Sequence, residues 1–170
     1  FLFNSLSILS SLVHVNADLS EQFIEQLARS YRYILEQKDQ TLVSLRTELE
    51  FIRSYAFLLK IRFDNKFDLH LDLQDDVLDK YKIAPLTLQL LIENAVKHNR
   101  MSANEPLVVE VKIEGDYLLV KNPLRARPQR EASTGTGLNN IINRYALLTD
   151  RPVKAGECED DFLVRVPLIY

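Results

Sequence analysis

Neither proline nor glycine occurs in the first 63 residues, and apolar side chains recur there at helical spacing, so this stretch reads as helices in need of partners. Phe1, Ile8 and Leu12 share a stripe with Leu2, Leu6 and Leu9, enough to bury one broad face. Asp18 followed by Glu21 resembles an N-cap with its capping-box partner, opening a second helix through Phe23, Leu27, Tyr31 and Ile34 or Leu35. A polar break at Gln37 to Gln40 leads to Ser44 or Thr47, either of which suits the cap of a third helix. That helix carries Leu49, Ile52, Tyr55, Ala56 and Leu59. The pattern predicts a helical hairpin with a long third helix leading into a further unit. The first two stripes are too broad for one hairpin to cover. They predict a homodimer through residues such as Leu6, Leu9, Leu27 and Tyr31.

Beyond Arg62 the period changes. Phe67 to Leu73 alternates strictly, the signature of a strand with one buried face. Pro85 opens a helical pattern through Leu86, Leu90, Leu91 and Ala95. Leu107 to Ile113 and Tyr117 to Val120 read as two strands joined by a hairpin at Glu114-Gly115-Asp116. An irregular polar stretch runs from Asn122 to Thr134, and Gly137 starts a helix through Ile141, Ile142, Tyr145 and Leu148. Two further strands are predicted, around Val153 and from Phe162 to Pro167. Helices first and a mostly antiparallel mixed region afterwards make an α+β chain, divided into residues 1–62 and 63–170.

Composition excludes several classes. A net charge of −3 gives no basic groove for nucleic acid. Cys158 is the only cysteine, so no intrachain disulfide forms, and the acidic run around it disfavours a reactive thiolate. No apolar run approaches the length of a membrane span, and the apolar start lacks the basic flank of a signal peptide. The chain reads as the interior of a longer protein, with any membrane segment outside it.

Two segments carry chemistry. In Leu88 to Asn99 (LQLLIENAVKHN), Glu93, Asn94, Lys97 and His98 gather at the polar end of an apolar helix. Asn94 and Lys97, three apart, share a face. An amide oxygen beside an ammonium suits a magnesium-bound triphosphate, the amide ligating the hard cation and the lysine offsetting phosphate charge. A solvated helix end with cations near the negative dipole pole accounts for the same residues. In Ser133 to Tyr145 (STGTGLNNIINRY), Gly135 and Gly137 precede a helix whose first N–H groups suit an anion. An ordinary glycine-rich turn also fits, although two of only four glycines are placed here.

Together, in this order, the two segments resemble the ATP-binding (Bergerat, or GHKL) fold shared by histidine kinases, gyrase and MutL. Phe1-Leu2-Phe3-Asn4 resembles the end of Asn-Pro-His-Phe-Leu-Phe-Asn in LytS-like sensor histidine kinases. Tyr31-Arg32-Tyr33, Glu48-Leu49-Glu50-Phe51, Arg62-Phe63, Pro85, Gln89 and the ENAVKHN run extend the likeness along the chain. The resemblance implies a helical dimerisation region followed by an ATP-binding α/β sandwich, acting in a two-component phosphorelay. ATP and magnesium are the implied cofactors, and a response regulator receiver domain is the implied partner. The location implied is the cytoplasmic side of a bacterial inner-membrane protein. Asn94 matches the magnesium ligand, and Lys97 and His98 match phosphate-side and nucleotide-contacting positions. Gly135, Gly137 and Leu138 match the second glycine box. Asn122 stands where the family carries an aspartate that accepts from the adenine amine, and no glycine follows it. The acceptor histidine would precede Phe1, so neither His14 nor His70 is assigned that role. Arg125, Arg127 and Arg130 fall in the segment that would form a lid over phosphates, where a solvated loop is the simpler expectation. Hydrolysis of the gyrase kind would need a glutamate where Leu90 stands. A degenerate, non-catalytic nucleotide-binding or scaffolding module of the same fold is the alternative.

Overall fold

The computed structural model describes residues 2–128 and 135–170. Arg130, Ser133 and Thr134 of the lid segment, and Phe1, lie outside the described residues. The amino-terminal stretch forms α1 (Leu2–Leu12), α2 (Ala17–Gln37) and α3 (Leu45–Arg62). Asn16, not Asp18, caps α2. Its backbone is extended and its side-chain oxygen accepts the Leu19 N–H at 3.0 Å, which leaves Asp18 as a first-turn charge favourable to the dipole. Ser44 caps α3, its Oγ accepting the Thr47 N–H at 3.1 Å. His14 falls in the turn after α1 rather than on the helix.

The third helix has two buried faces. Leu58 packs with Phe23 and Leu27, and Ile8, Leu9 and Leu12 of α1 close over them. Leu49, Ile52, Tyr55 and Leu59 enter the main core, which extends through the sheet. Leu27 is 8% exposed, so it is spent inside this chain and is not offered to a second copy. The apolar side chains left on the surface of the hairpin include Phe3, Leu6, Ile24 and Leu35.

The sheet contains β2 (Phe67–Asp72), β4 (Leu107–Glu114), β5 (Tyr117–Pro123), β6 (Lys154–Cys158) and β7 (Asp161–Pro167), in the order β2-β4-β5-β7-β6. Among the described residues only β2 and β4 pair in parallel; every other neighbour in this sheet is antiparallel. Parallel neighbours need a crossover, and α4 (Thr87–His98) lies within it. A small ladder joins β1 (Val43–Ser44) to β3 (Lys82–Ile83). Gly115, at φ +59°, allows the tight β4–β5 turn. Leu71, Val111, Val120 and Val164 stand side by side in register, and the last three are buried in the core with α3, α4 and α5 (Thr136–Ala146). The alternate residues carry ion pairs such as Lys121–Glu110 at 2.8 Å and Lys112–Glu114 at 2.9 Å. One face is apolar and helix-covered, the other charged. The expected α+β class with a mostly antiparallel mixed sheet is the observed one. The strand expected around Val153 begins at Lys154 and forms an exposed edge. Among the described residues no helix is long and apolar enough to cross a membrane.

Candidate functional site

The helix that carries Asn94 does not begin at Pro85. Pro85 precedes it, Leu86 takes a left-handed conformation at φ +66°, and the helix runs from Thr87. No side chain of α4 itself caps it. Its first amides are taken by Glu48 of α3, whose Oε2 accepts from Leu86 N–H and Oε1 from Leu88 N–H, both at 3.2 Å. Tyr33 of α2 donates its hydroxyl to the same carboxylate. Burial pushes the Glu48 carboxyl above the usual glutamate range, while Tyr33, Leu86, Leu88 and Arg144 draw it back. From α5, the Tyr145 hydroxyl accepts from Ala84 N–H at 3.0 Å, and Arg144 donates to the Pro85 carbonyl at 2.9 Å. Burial raises the Tyr145 pKa to about 12.

The other end of α4 opens into a cleft of about 1440 Å³. All seven residues predicted from sequence line it: Asn94, Lys97, His98, Asn122, Gly135, Gly137 and Leu138. Three elements bring them together. The polar end of α4 supplies Asn94, Lys97 and His98, the end of β5 supplies Asn122, and the start of α5 supplies both glycines and Leu138. Among the described residues, Lys97, Arg100 and Arg127 against Glu157 leave the lining with more positive than negative side chains, in a chain that is acidic overall. Val120, Phe162 and Val164 add an apolar wall from the sheet. An anion with an apolar body suits such a lining.

Gly137 explains its own residue type. A Cβ built there would lie 3.2 Å from Asn94 Oδ1 and 3.4 Å from Nδ2, so any larger residue would crowd the Asn94 carboxamide. The Asn94 side chain is half-buried and makes no hydrogen bond among the described residues. Gly135, at φ +63°, occupies the α5 N-cap in the left-handed region that glycine adopts without strain. Asn122 is 7% exposed and donates its amide to the Pro123 carbonyl at 2.8 Å, which leaves its oxygen as the acceptor. Glu93, adjacent to Asn94 in sequence, is turned away. It accepts from the Tyr55 hydroxyl and from Gln89, both at 3.0 Å.

Of the lid arginines, Arg125 and Arg127 are held by backbone carbonyls, and Arg127 remains exposed. Arg125 donates to the carbonyls of Glu105 and Pro106, and Arg127 reaches the carbonyls of Val96 and Asn99 at the end of α4. Asn99 completes a clasp that sequence reading left without a role. Buried, it donates to the Ala95 carbonyl at 2.8 Å and accepts from Arg125 N–H at 2.6 Å. Glu48 was equally invisible as a partner of α4. The cap needs its acceptor within the helix or just before it to be read, and this one lies 38 residues upstream. Among the described residues no cluster of three or more His, Cys, Asp or Glu side chains is set to hold a metal. Magnesium does not need one, since phosphate oxygens and waters fill most of its shell.

Comparison with known proteins converges on one family. Residues 1–67 match the family model described as histidine kinase. Sensor protein LytS of Streptococcus agalactiae is 29% identical over 164 residues, which cover 87% of this chain and 28% of the relative. An uncharacterized sensor-like histidine kinase of Staphylococcus epidermidis is 35% identical over 113 residues, covering 66% of this chain and 21% of the relative. The sensor histidine kinase/phosphatase LytS of Staphylococcus aureus is 30% identical over 115 residues, covering 66% and 20%. The chain thus spans little more than a quarter of these relatives at most. The solved histidine kinase AdeS of Acinetobacter baumannii aligns at TM-score 0.44 and 15% identity, over 93% of this chain and 82% of that one. Over residues 1–67 the chain matches the histidine kinase family model, and over most of its length it is similar to LytS-type sensor histidine kinases.

Proposed function

We propose that this chain is the ATP-binding catalytic part of a two-component sensor histidine kinase. The observation that carries the reading is the meeting of Asn94, Lys97, Asn122 and Gly137 in one cleft with a cationic, partly apolar lining. ATP lies with its adenine against the sheet wall, where the Asn122 oxygen accepts from the exocyclic amine. Its phosphates lie between Lys97 and the start of α5, where ammonium and helix dipole both favour negative charge. Asn94 is the residue that would hold magnesium. Its amide oxygen is a hard ligand in a cleft, uncommitted to any described partner, and the glycine beside it leaves room for phosphate. Magnesium, when bound, offsets charge on the β- and γ-phosphates.

The acceptor is a histidine that the family likeness puts immediately before Phe1. Its ring nitrogen attacks the γ-phosphorus, the bond to the bridging oxygen breaks, and ADP leaves with that oxygen's electrons. Lys97 balances the developing charge, and the walls of the cleft hold the phosphates in line. The phosphoryl group then passes to an aspartate of a response regulator. The working form is a homodimer through the exposed apolar side chains of α1 and α2, on the cytoplasmic side of a membrane protein. We propose residues 1–62 as the dimerising helical region and 63–170 as the nucleotide-binding region, with α3 buried against both. A second reading, a nucleotide-binding or scaffolding module without transfer, is favoured by the neutral Asn122 in place of an acid.

Calorimetric titration with ATP, with and without magnesium, tests the reading on wild-type protein and Asn94→Ala. Magnesium-dependent binding by the wild type and its loss in Asn94→Ala, with unchanged thermal melting, are expected. Wild-type protein that binds no nucleotide at millimolar concentration would sink the kinase reading.

A further inference from the structure

Glu48 is 0% exposed, and a carboxyl group in that position is costly unless its oxygens are satisfied. Three donors satisfy them, from two different elements. Leu86 and Leu88 N–H groups come from the start of α4, and the Tyr33 hydroxyl comes from α2. The arrangement holds α4 in a position its own sequence does not choose. Leucine resists the left-handed conformation that Leu86 adopts, and α4 lacks a side-chain cap of its own. Arg144 and Tyr145 fix the preceding residues, Pro85 and Ala84, from α5. Asn94 follows Leu88 by less than two helical turns, about 9 Å along the axis at ~1.5 Å per residue. A shift or rotation at the start of so short a rigid segment reaches Asn94 almost undiminished. Gly137 faces the Asn94 carboxamide across the cleft, so a shift of α4 changes how the two elements meet.

Resting on the nucleotide-binding reading above, we infer that Glu48 is a positioning residue for the cleft, and that Tyr33 makes that position depend on α2. Glu48 touches neither the nucleotide nor magnesium; it sets where α4 presents Asn94 and Lys97. The Tyr33 ring stacks on Phe51 with centroids 4.3 Å apart, so Tyr33→Phe removes the hydroxyl while the ring keeps its place. Through Glu48, α2 of the hairpin is thereby linked by hydrogen bonds to the helix that would carry the metal ligand.

The test compares Glu48→Gln, Tyr33→Phe and Leu49→Ala, the last a buried α3 substitution outside the hydrogen-bonded link. Backbone and side-chain amide resonances of Asn94, Lys97 and Gly137 are recorded in the nucleotide-free proteins, and Mg-ATP affinity is measured by calorimetry. Glu48→Gln should displace the cleft resonances and weaken Mg-ATP about tenfold, since its amide group meets one α4 N–H with another donor. Tyr33→Phe should displace the same resonances in the same direction by less. Leu49→Ala should lower the melting temperature and leave the cleft resonances in place. Cleft resonances and affinity unmoved in Glu48→Gln, with only its melting temperature lowered, would overturn the inference. If Glu48→Gln does not fold, Tyr33→Phe decides alone, and unmoved cleft resonances in it overturn the inference. If wild-type protein binds no Mg-ATP, the nucleotide reading fails, while the nucleotide-free resonances still judge the positioning.

Discussion

Gly135 and Gly137 stand two residues apart at the start of α5, yet alanine should do opposite things at the two sites. At Gly137 the backbone is helical, and replacing glycine there gains up to about 1 kcal/mol in helix propensity. The new Cβ meets Asn94 Oδ1 at 3.2 Å and Nδ2 at 3.4 Å, tighter than ordinary contact. The carboxamide must give way by a few tenths of an ångström, which a half-buried side chain can do at small cost to folding. Magnesium is less forgiving, because it demands near-ideal octahedral geometry at ~2.0–2.1 Å. Gly137→Ala should therefore melt at the wild-type temperature or a few degrees above, at about 2–4 °C per kcal/mol for a chain of this size. Its Mg-ATP affinity should fall by about tenfold, roughly 1.4 kcal/mol. At Gly135 the nearest atom to a new Cβ is Asn139 Nδ2 at 3.5 Å, an ordinary contact, but φ is +63°. Gly135→Ala should therefore cost about 1–2 kcal/mol of stability through backbone strain. Calorimetric melts and titrations on both variants measure the two effects. Wild-type Mg-ATP affinity in Gly137→Ala would refute the assignment of Asn94 as the ligand that Gly137 accommodates. Equal losses of stability in both variants would refute the backbone argument.

Three further outcomes are expected. Asn122→Asp should tighten ATP binding relative to GTP in paired titrations, because an ionised acceptor makes the stronger hydrogen bond; unchanged ATP selectivity would remove Asn122 from adenine recognition. Arg127→Ala should release the Val96 and Asn99 carbonyls, cost about 1 kcal/mol, and speed hydrogen exchange at the end of α4; protected Lys97 and His98 amides in the variant would argue against the clasp. Glu48 holds its proton more tightly folded than unfolded, so the folded state binds more protons above the ordinary value of 4.5, and stability should fall as pH rises through that window. Denaturant titrations across pH should show that slope flattened in Glu48→Gln, whereas Asp68 and Glu114, whose pKa values are lowered, act with the opposite sign at more acid pH.

What could be read from sequence was what depends on neighbours in the chain. The alternation of Phe67 to Leu73 gives a strand wherever its partner lies, and the Glu114-Gly115-Asp116 turn brings two strands together by itself. The ENAVKHN run and the glycines at 135 and 137 were legible because each needs a particular residue type at a particular spacing. That they face one another across a cleft came only from the family likeness, and the sheet order that achieves it cannot be read from alternation. The cap of α2 was misplaced by two residues because Asn16 and Asp18 offer equivalent oxygens. Only the extended backbone at Asn16 separates them. Leu27 looked like an interface residue for a similar reason. A helical stripe records that a face is buried but not whether α3 or a second copy covers it.

The partners that escaped the sequence reading share a physical property. Apart from the Tyr33 hydroxyl on Glu48, the partners of Glu48, Asn99, Arg125 and Arg127 are backbone amides or carbonyls, and a backbone group leaves no mark in the residue types around it. A charged pair would have left one. These four residues hold both ends of α4, Glu48 on its first amides and the Asn99 clasp on its last carbonyls, while the helix interior needs only apolar spacing. A short helix held at both termini by side chains from elsewhere is positioned by the fold rather than by its own sequence. The residues on its polar end then owe their identity to chemistry and their location to distant anchors. That division explains why Asn94 and Lys97 could be picked out from sequence, whereas the groups that aim them could not.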